Sequence, residues 1–329
     1  MDIYFEEDYA KLYEESEKGK LEIFEFNNKK GSGKTLFIKR EISEKIFNHK
    51  YYDIVTPYGY GGPIFNIYSM EDKKDFIKEY CEKFQEYCLK NNIISEFIRF
   101  HPLEKNHKNL ENFYKISHVS ETIFIDLSSK DNVLKNMSSQ SRNKIKKALK
   151  NDLVFEEDKE FKTLEIFKKL YYETMKKNNA NNMYFFNDKY FFKLFNIKNK
   201  VKLFNIKLNE KIISSSIILL GDRRLHYHLS ANTSEGYKFA ANNFLLYNIS
   251  LWGIEKKYQY FHLGGGYGGN KSPLFKFKKS INENGELKFY IGKKIYNRDV
   301  YDTLVEKSNL NSEEKKSDYF PLYRLKGVK

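Results

Sequence analysis

Five glycines and four lysines crowd one passage of the chain, FHLGGGYGGNKSPLFKFKKSIN at 261–282. Directly after a β-rich run, Gly264, Gly265 and Gly266 leave a backbone without side chains that a ligand can approach closely. Lys271, Lys276, Lys278 and Lys279 follow, interleaved with Phe275 and Phe277. A glycine loop with lysines at the carboxyl end of a strand is an anion-binding arrangement, placed where an open α/β sheet puts its crevice. The plainer reading, a flexible basic surface loop, is the weaker one.

Other suggestive spacings carry less. GSGKT at 31–35 imitates a phosphate-binding loop, but the first glycine of that motif falls on Asn28 and the run that follows reads as a strand, not a helix. A nucleoside triphosphatase is therefore excluded. His226 and His228 in HYH would share one strand face, but no third ligand lies at metal spacing, so no metal is expected. Neither a G-x-S-x-G elbow nor a motif pairing Ser or Cys with His is present, which leaves covalent nucleophilic catalysis without support. His101, His107 and His118 read as loop and surface residues.

The elements that must hold the glycine-lysine passage follow from periodicity. In the first half, 21–26 and 35–41 form a hairpin, and 51–56 is a strand running into the loop PYGYGGP. Phe76, Ile77, Tyr80, Cys81, Phe84, Tyr87 and Cys88 recur at helical spacing, so 71–91 is an amphipathic helix. Strands at 93–100 and 121–127 follow, and the basic stretch 130–151 is expected as one helix closing this half. The second half repeats the order: a strand at 153–157, helices at 161–177 and after Asn187, a hairpin of 201–208 with 211–220, and a strand at 225–230. A helix over 239–257 leads to the strand YFHL at 260–263, and 287–297 is the last strand. A duplicated α/β unit of mixed sheets, each copy about 150 residues long, is the economical explanation.

Composition bounds the class. With 329 residues, 40% of them hydrophobic and 17% aromatic, the chain can bury two sizeable cores. No apolar run approaches a membrane span. MDIYFEEDYA has neither a basic start nor an apolar stretch, so no secretory signal is expected. Cys81 and Cys88, the only cysteines, share a helix face and read as reduced core thiols, in line with a cytoplasmic protein. Lys and Arg number 58 against 44 acids, a net charge of +14, but abundant Asn, Ile, Tyr and Phe suggest AT-rich coding that inflates lysine. Lys135, Arg142, Lys144, Lys146, Lys147 and Lys150 are denser than that background, with no acid between them. A non-catalytic nucleic-acid-binding protein would need aromatics interleaved there or a reading-helix motif, and the stretch has neither.

Motifs along nearly the full length carry a resemblance: TPYGYGGP (56–63), FIRFHPL (97–103), IDLS (125–128) leading into RNKIKKALKN (142–151), HYHLSA (226–231), FHLGGG (261–266), LFKFKKSI (274–281) and YFPLYR (319–324). With them the chain resembles the Fem (FemABX-like) family of peptidyltransferases, which carry two GNAT-like acyltransferase domains in tandem. The resemblance implies a first GNAT-like domain over 1–150 with the segment 298–329 packed back on it, and a second over 151–297. It implies aminoacyl transfer from a charged tRNA to an amine of a peptidoglycan precursor, without a tightly bound cofactor. The alternative in the same class is N-acylation of an amino sugar or other small amine from acyl-CoA or acyl carrier protein. A cell-wall precursor or amino sugar, tRNA, and a peripheral contact with the inner membrane surface are the partners implied.

Either donor demands an uncharged amine as nucleophile and a donor or cation for the developing oxyanion. Lys278, matching the lysine of the family's Phe-Lys pair, is expected in the cationic role, with Phe277 walling the site. Asp126 is the candidate general base, its plain role being to cap a strand end; substrate-assisted proton removal stays open. Tyr227 and Ser230 on the central strand are expected beside Gly264, Gly265, Gly266 and Lys276, with Tyr58 and Arg99 binding substrate from the first domain. KFAANN at 238–243 occupies the position of the pyrophosphate-binding loop but lacks its glycines, which weighs against acyl-CoA without excluding it.

Overall fold

The computed structural model describes residues 1–43, 49–197, 199–266, 269 and 272–328. The chain divides into two compact units. The first comprises Tyr4–Val119 and Phe289–Lys329, and the second comprises Met1–Ile3 and Ser120–Lys288.

In the first unit a short helix α1 (Glu7–Lys11) precedes the hairpin of β1 (Gly19–Asn28) and β2 (Gly31–Glu41), paired from Gly19↔Arg40 to Asn28↔Gly31. GSGKT therefore lies inside a strand. Gly33 is there for space, since a Cβ on it would sit 2.5 Å from the Tyr80 ring. β3 (Tyr52–Val55) pairs antiparallel with β2 and parallel with β5 (Ile93–Arg99); β4 (Ile64–Ile67) adds to β2. The crossover is α2 (Lys73–Lys90), whose apolar stripe buries Phe76, Ile77, Tyr80, Cys81, Phe84 and Cys88 against the sheet. Both cysteines are free thiols.

The second unit begins with most of β6 (Lys115–Asp126), then α3 (Lys130–Asn136) and α4 (Ser139–Leu149). The basic stretch is thus two helices, not one. Ser129 caps α3, Met137 is extended, and Ser138 restarts the chain by accepting the Ser141 N–H. Both helices pack Val133, Ile145 and Ala148 into the second unit's core, so the compact units part at 119/120 and not near Asn151.

The meander β7 (Val154–Glu157), β8 (Val201–Leu208), β9 (Lys211–Leu220) and β10 (Arg224–Asn232) is antiparallel throughout. α5 (Leu164–Lys177) and α6 (Asp188–Phe195) lie between β7 and β8, the latter capped by Asn187. Asn209 and Glu210, both at positive φ, turn β8 into β9. The helix expected over 239–257 is also broken, into α7 (Ser234–Lys238) and α8 (Ala241–Glu255). β11 (Tyr260–Gly264) then runs parallel to β10 and antiparallel to β6. α9 (Pro273–Ile281) and β12 (Glu286–Ile295) complete the passage back to the first unit.

β12 pairs antiparallel with β5. The order antiparallel pair, parallel crossover over a helix, antiparallel flank therefore occurs in both units, as β2-β3-β5-β12 and as β9-β10-β11-β6. After α10 (Arg298–Lys307) the tail is tied to the first unit by Asp53, a fully buried carboxylate that accepts from Arg40 Nε (2.7 Å), Tyr323 Oη (2.9 Å) and Arg324 Nε (2.5 Å).

Candidate active site

The parallel pairing of β10 and β11 is short: Arg224↔Tyr260, Leu225↔Phe261 and His226↔His262. At that level both strands bulge against their outer neighbours, β10 between Tyr227 and Leu229 and β11 between His262 and Gly264. Bulges bend a strand and re-aim its side chains, and beyond them the two carboxyl ends carry no mutual ladder. Tyr227 packs on the core and donates its hydroxyl to Asn242 Oδ1 at the start of α8 (3.2 Å). Burial pushes that phenol up to about 12, so it stays a hydrogen-bond donor at neutral pH.

The glycines bring α9 into this place. Gly264 is left-handed (φ 71°). A Cβ on Gly266 would meet Ser272 Oγ at 2.1 Å and Phe275 Cβ at 2.7 Å. Ser272 caps α9 by accepting the Phe275 N–H, and Pro273 occupies its first turn. Close packing of the loop on the helix is what lets Lys278 reach inward. Its Nζ donates to the Gly265 carbonyl (2.7 Å) and stands 5.7 Å from the Tyr227 ring centroid. Lys278 is only 7% exposed and has no carboxylate partner among the described residues. Burial alone lowers its ammonium to about 7. Its neighbours behave differently: Lys276 is exposed, and Lys279 pairs with Glu286 at the surface (2.5 Å). Phe277 is half-buried against the second core. Lys271 lies outside the described residues.

Asp126 does not belong here. It stands opposite Tyr260, whereas Gly264 stands opposite Ile123, so it is displaced by three strand residues, about 10 Å. Its carboxylate instead accepts the Ser128 N–H (2.8 Å), the strand-end role. Tyr58 and Arg99 lie in the first unit. The Tyr58 ring stacks on Tyr13 (5.5 Å), and the Arg99 guanidinium donates to the Thr56 carbonyl (3.1 Å). His101 is fully buried, contrary to the expected surface position, because its ring packs among Tyr4, Phe5 and Tyr60.

Ser230 lies on the carboxyl half of β10, opposite Ser216. Its side chain interacts with the Tyr227 hydroxyl, while Ser214 Oγ and Asn232 Oδ1 are buried without a hydrogen-bond partner among the described residues. Sequence reasoning missed Asn242 and the conformation of Ala240, which takes the left-handed form (φ 57°, ψ 33°) usually left to glycine. No side chain caps α8 there, which leaves its first-turn N–H groups without a side-chain acceptor. His228, weighed above only as a metal ligand, has a different role. It contacts Tyr190 Oη at 2.6 Å, and burial lowers its imidazole to about 3, which keeps it neutral.

Residues 135–278 match the acetyltransferase (GNAT) domain family, and the chain is an acyltransferase of that fold. No curated protein matches it in sequence. Among solved structures, FemX is 13% identical, with 92% of this chain and 94% of that one covered at a TM-score of 0.69. The C-terminal domain of a putative lysylphosphatidylglycerol synthetase from Agrobacterium fabrum is 12% identical over 91% and 89% of the two chains, with a TM-score of 0.54. A conserved protein of unknown function from Bacteroides thetaiotaomicron is 13% identical over 89% and 93%, also at 0.54. At these identities the likeness is one of fold, and it extends over both GNAT-like units.

Proposed function

We propose that the protein transfers an aminoacyl group from a charged tRNA to an amine of a peptidoglycan precursor, with Lys278 as the cation that meets the developing oxyanion. The observation that carries this is a buried lysine without a counter-ion among the described residues, held by a backbone carbonyl where β10 and β11 part. A structural lysine would have an acid beside it or its head in water. A site awaiting negative charge leaves the cation unpaired. The FemX-like fold and the motifs shared with the Fem family support the donor and acceptor.

In the reaction the uncharged amine attacks the ester carbonyl and a C–N bond forms. The carbonyl oxygen carries the charge until the C–O bond breaks, and the terminal hydroxyl of the RNA leaves with a proton. That proton comes from the attacking amine. Asp126 lies too far along β6 to reach the amine, so the acceptor's own carboxylate or phosphate is the proton carrier. Tyr227 orients through Asn242, and Phe277 walls the site.

The GNAT match and the uncapped start of α8 favour a second reading, N-acylation of an amino sugar from acyl-CoA. Incubating the protein with charged tRNA and, separately, acetyl-CoA, then following acyl release to amine acceptors, separates the two. Release from acetyl-CoA alone overturns the tRNA reading.

A further inference from the structure

Several lysines on this surface are neutralised. Lys83, Lys168, Lys202, Lys207, Lys211 and Lys279 each pair with a glutamate. The outer face of α4 departs from that pattern. Lys146, Lys147 and Lys150 are exposed, lie within one turn of each other, and have no acid partner among the described residues. They do not stand alone. Lys147 Nζ donates to the Lys238 carbonyl (3.1 Å), so this face abuts the end of α7 two residues before the uncapped start of α8. There Tyr237 is 55% exposed, with Lys177 Nζ 5.1 Å from its ring centroid, and Lys238 is exposed too.

Unpaired cations in a row suit a polymer of regularly spaced negative charges, and an exposed aromatic ring with a cation on it suits a stacked base. We propose that Lys146, Lys147, Lys150, Lys177, Lys238 and Tyr237 form a docking surface for an RNA strand, the acceptor arm of the donor tRNA. This rests on the tRNA reading above and adds to it the place where the RNA lies. The stretch of sequence offers no aromatic of its own; the fold supplies Tyr237 from another helix. Charge complementarity alone would also suit an anionic membrane, but a tyrosine held under a lysine beside a helix start favours a nucleic acid.

The test is binding of deacylated tRNA to the full chain, measured by anisotropy over a range of salt concentrations. The triple variant Lys146→Gln/Lys147→Gln/Lys150→Gln should lower the slope of log affinity against log salt by about 2 to 3, one phosphate contact per lysine. Tyr237→Ala should weaken binding about tenfold with the slope unchanged. Lys78→Gln/Lys83→Gln/Lys90→Gln on α2 should change neither, and circular dichroism checks that all remain folded. The proposal is overturned if tRNA does not bind, if the triple variant keeps the wild-type slope, or if the α4 lysines govern binding only to phosphatidylglycerol vesicles. Transfer assays separate the two claims. Wild-type turnover with charged tRNA and an unchanged KM for tRNA in the triple variant sinks the surface but keeps the donor. Lysine-dependent binding without any transfer does the reverse.

Discussion

Replacing Lys278 by methionine should make the protein more stable and nearly inactive. The ammonium falls from 10.5 to about 7 through burial. At about 1.4 kcal/mol per pKa unit, keeping it charged below pH 7 costs the fold about 5 kcal/mol. Methionine has nearly the same length and no charge, so Lys278→Met removes that cost. It also forfeits the bond to the Gly265 carbonyl, about 1.5–3 kcal/mol for a charged donor. The net gain at pH 6 is about 2 kcal/mol, or several degrees in Tm. The sign of the linkage is specific: because the folded pKa is depressed, wild-type stability rises between pH 7 and 10.5, where the folded lysine has given up its proton and the unfolded one still holds it. The advantage of the methionine variant should therefore shrink over that window. Losing one preorganised donor should meanwhile lower kcat by roughly 100- to 1000-fold, whereas Lys279→Ala, which removes a surface pair, should leave it close to wild type. Thermal unfolding at pH 6 and pH 10 beside single-turnover rates provides both readouts. A methionine variant less stable than wild type, with the rate loss no larger than for Lys279→Ala, would refute the reasoning and make Lys278 a structural residue.

The rate itself should carry a descending limb near pH 7, where Lys278 loses its proton, and Lys278→Arg, which cannot titrate there, should lack it; a profile that only climbs through pH 7 would assign the residue to proton acceptance. Burial raises the Glu96 carboxyl in the first unit to about 7 while Tyr296 Oη donates to it (2.6 Å). Stability should therefore fall as pH rises from about 4.5 to 7, by about 3 kcal/mol, and Glu96→Gln should stabilise at pH 8 but not at pH 4, as urea titrations at the two values can check. Gly266→Ala should displace α9, costing about 1–3 kcal/mol of stability and at least tenfold in rate. Gly269→Ala, left-handed at φ 85° but in open space, should cost only about 1 kcal/mol and no activity.

Local patterns were legible because they depend on nearest neighbours in the chain. The stripe Phe76-Tyr80-Phe84 can bury only as a helix, and alternation in 201–208 and 211–220 can bury only as a hairpin, closed by Asn209 and Glu210 in the one conformation that joins twisted strands. The glycine loop followed by lysines was likewise readable from composition and order alone. What the sequence could not hold was register. Asp126 is an acid in the right strand until pairing sets Gly264 opposite Ile123 and sends Asp126 to the far end. The basic stretch 130–151 has one charge pattern, but which core its apolar side joins depends on α8 presenting a matching face, and that moved the boundary to 119/120. The resemblance singled out Lys278, but charge and composition near it do not separate it from Lys276 or Lys279. Only the Gly266–Phe275 contact and the paired bulges of β10 and β11 bury one amine of the three, because burial is decided by segments that meet in space, not by those that adjoin in sequence.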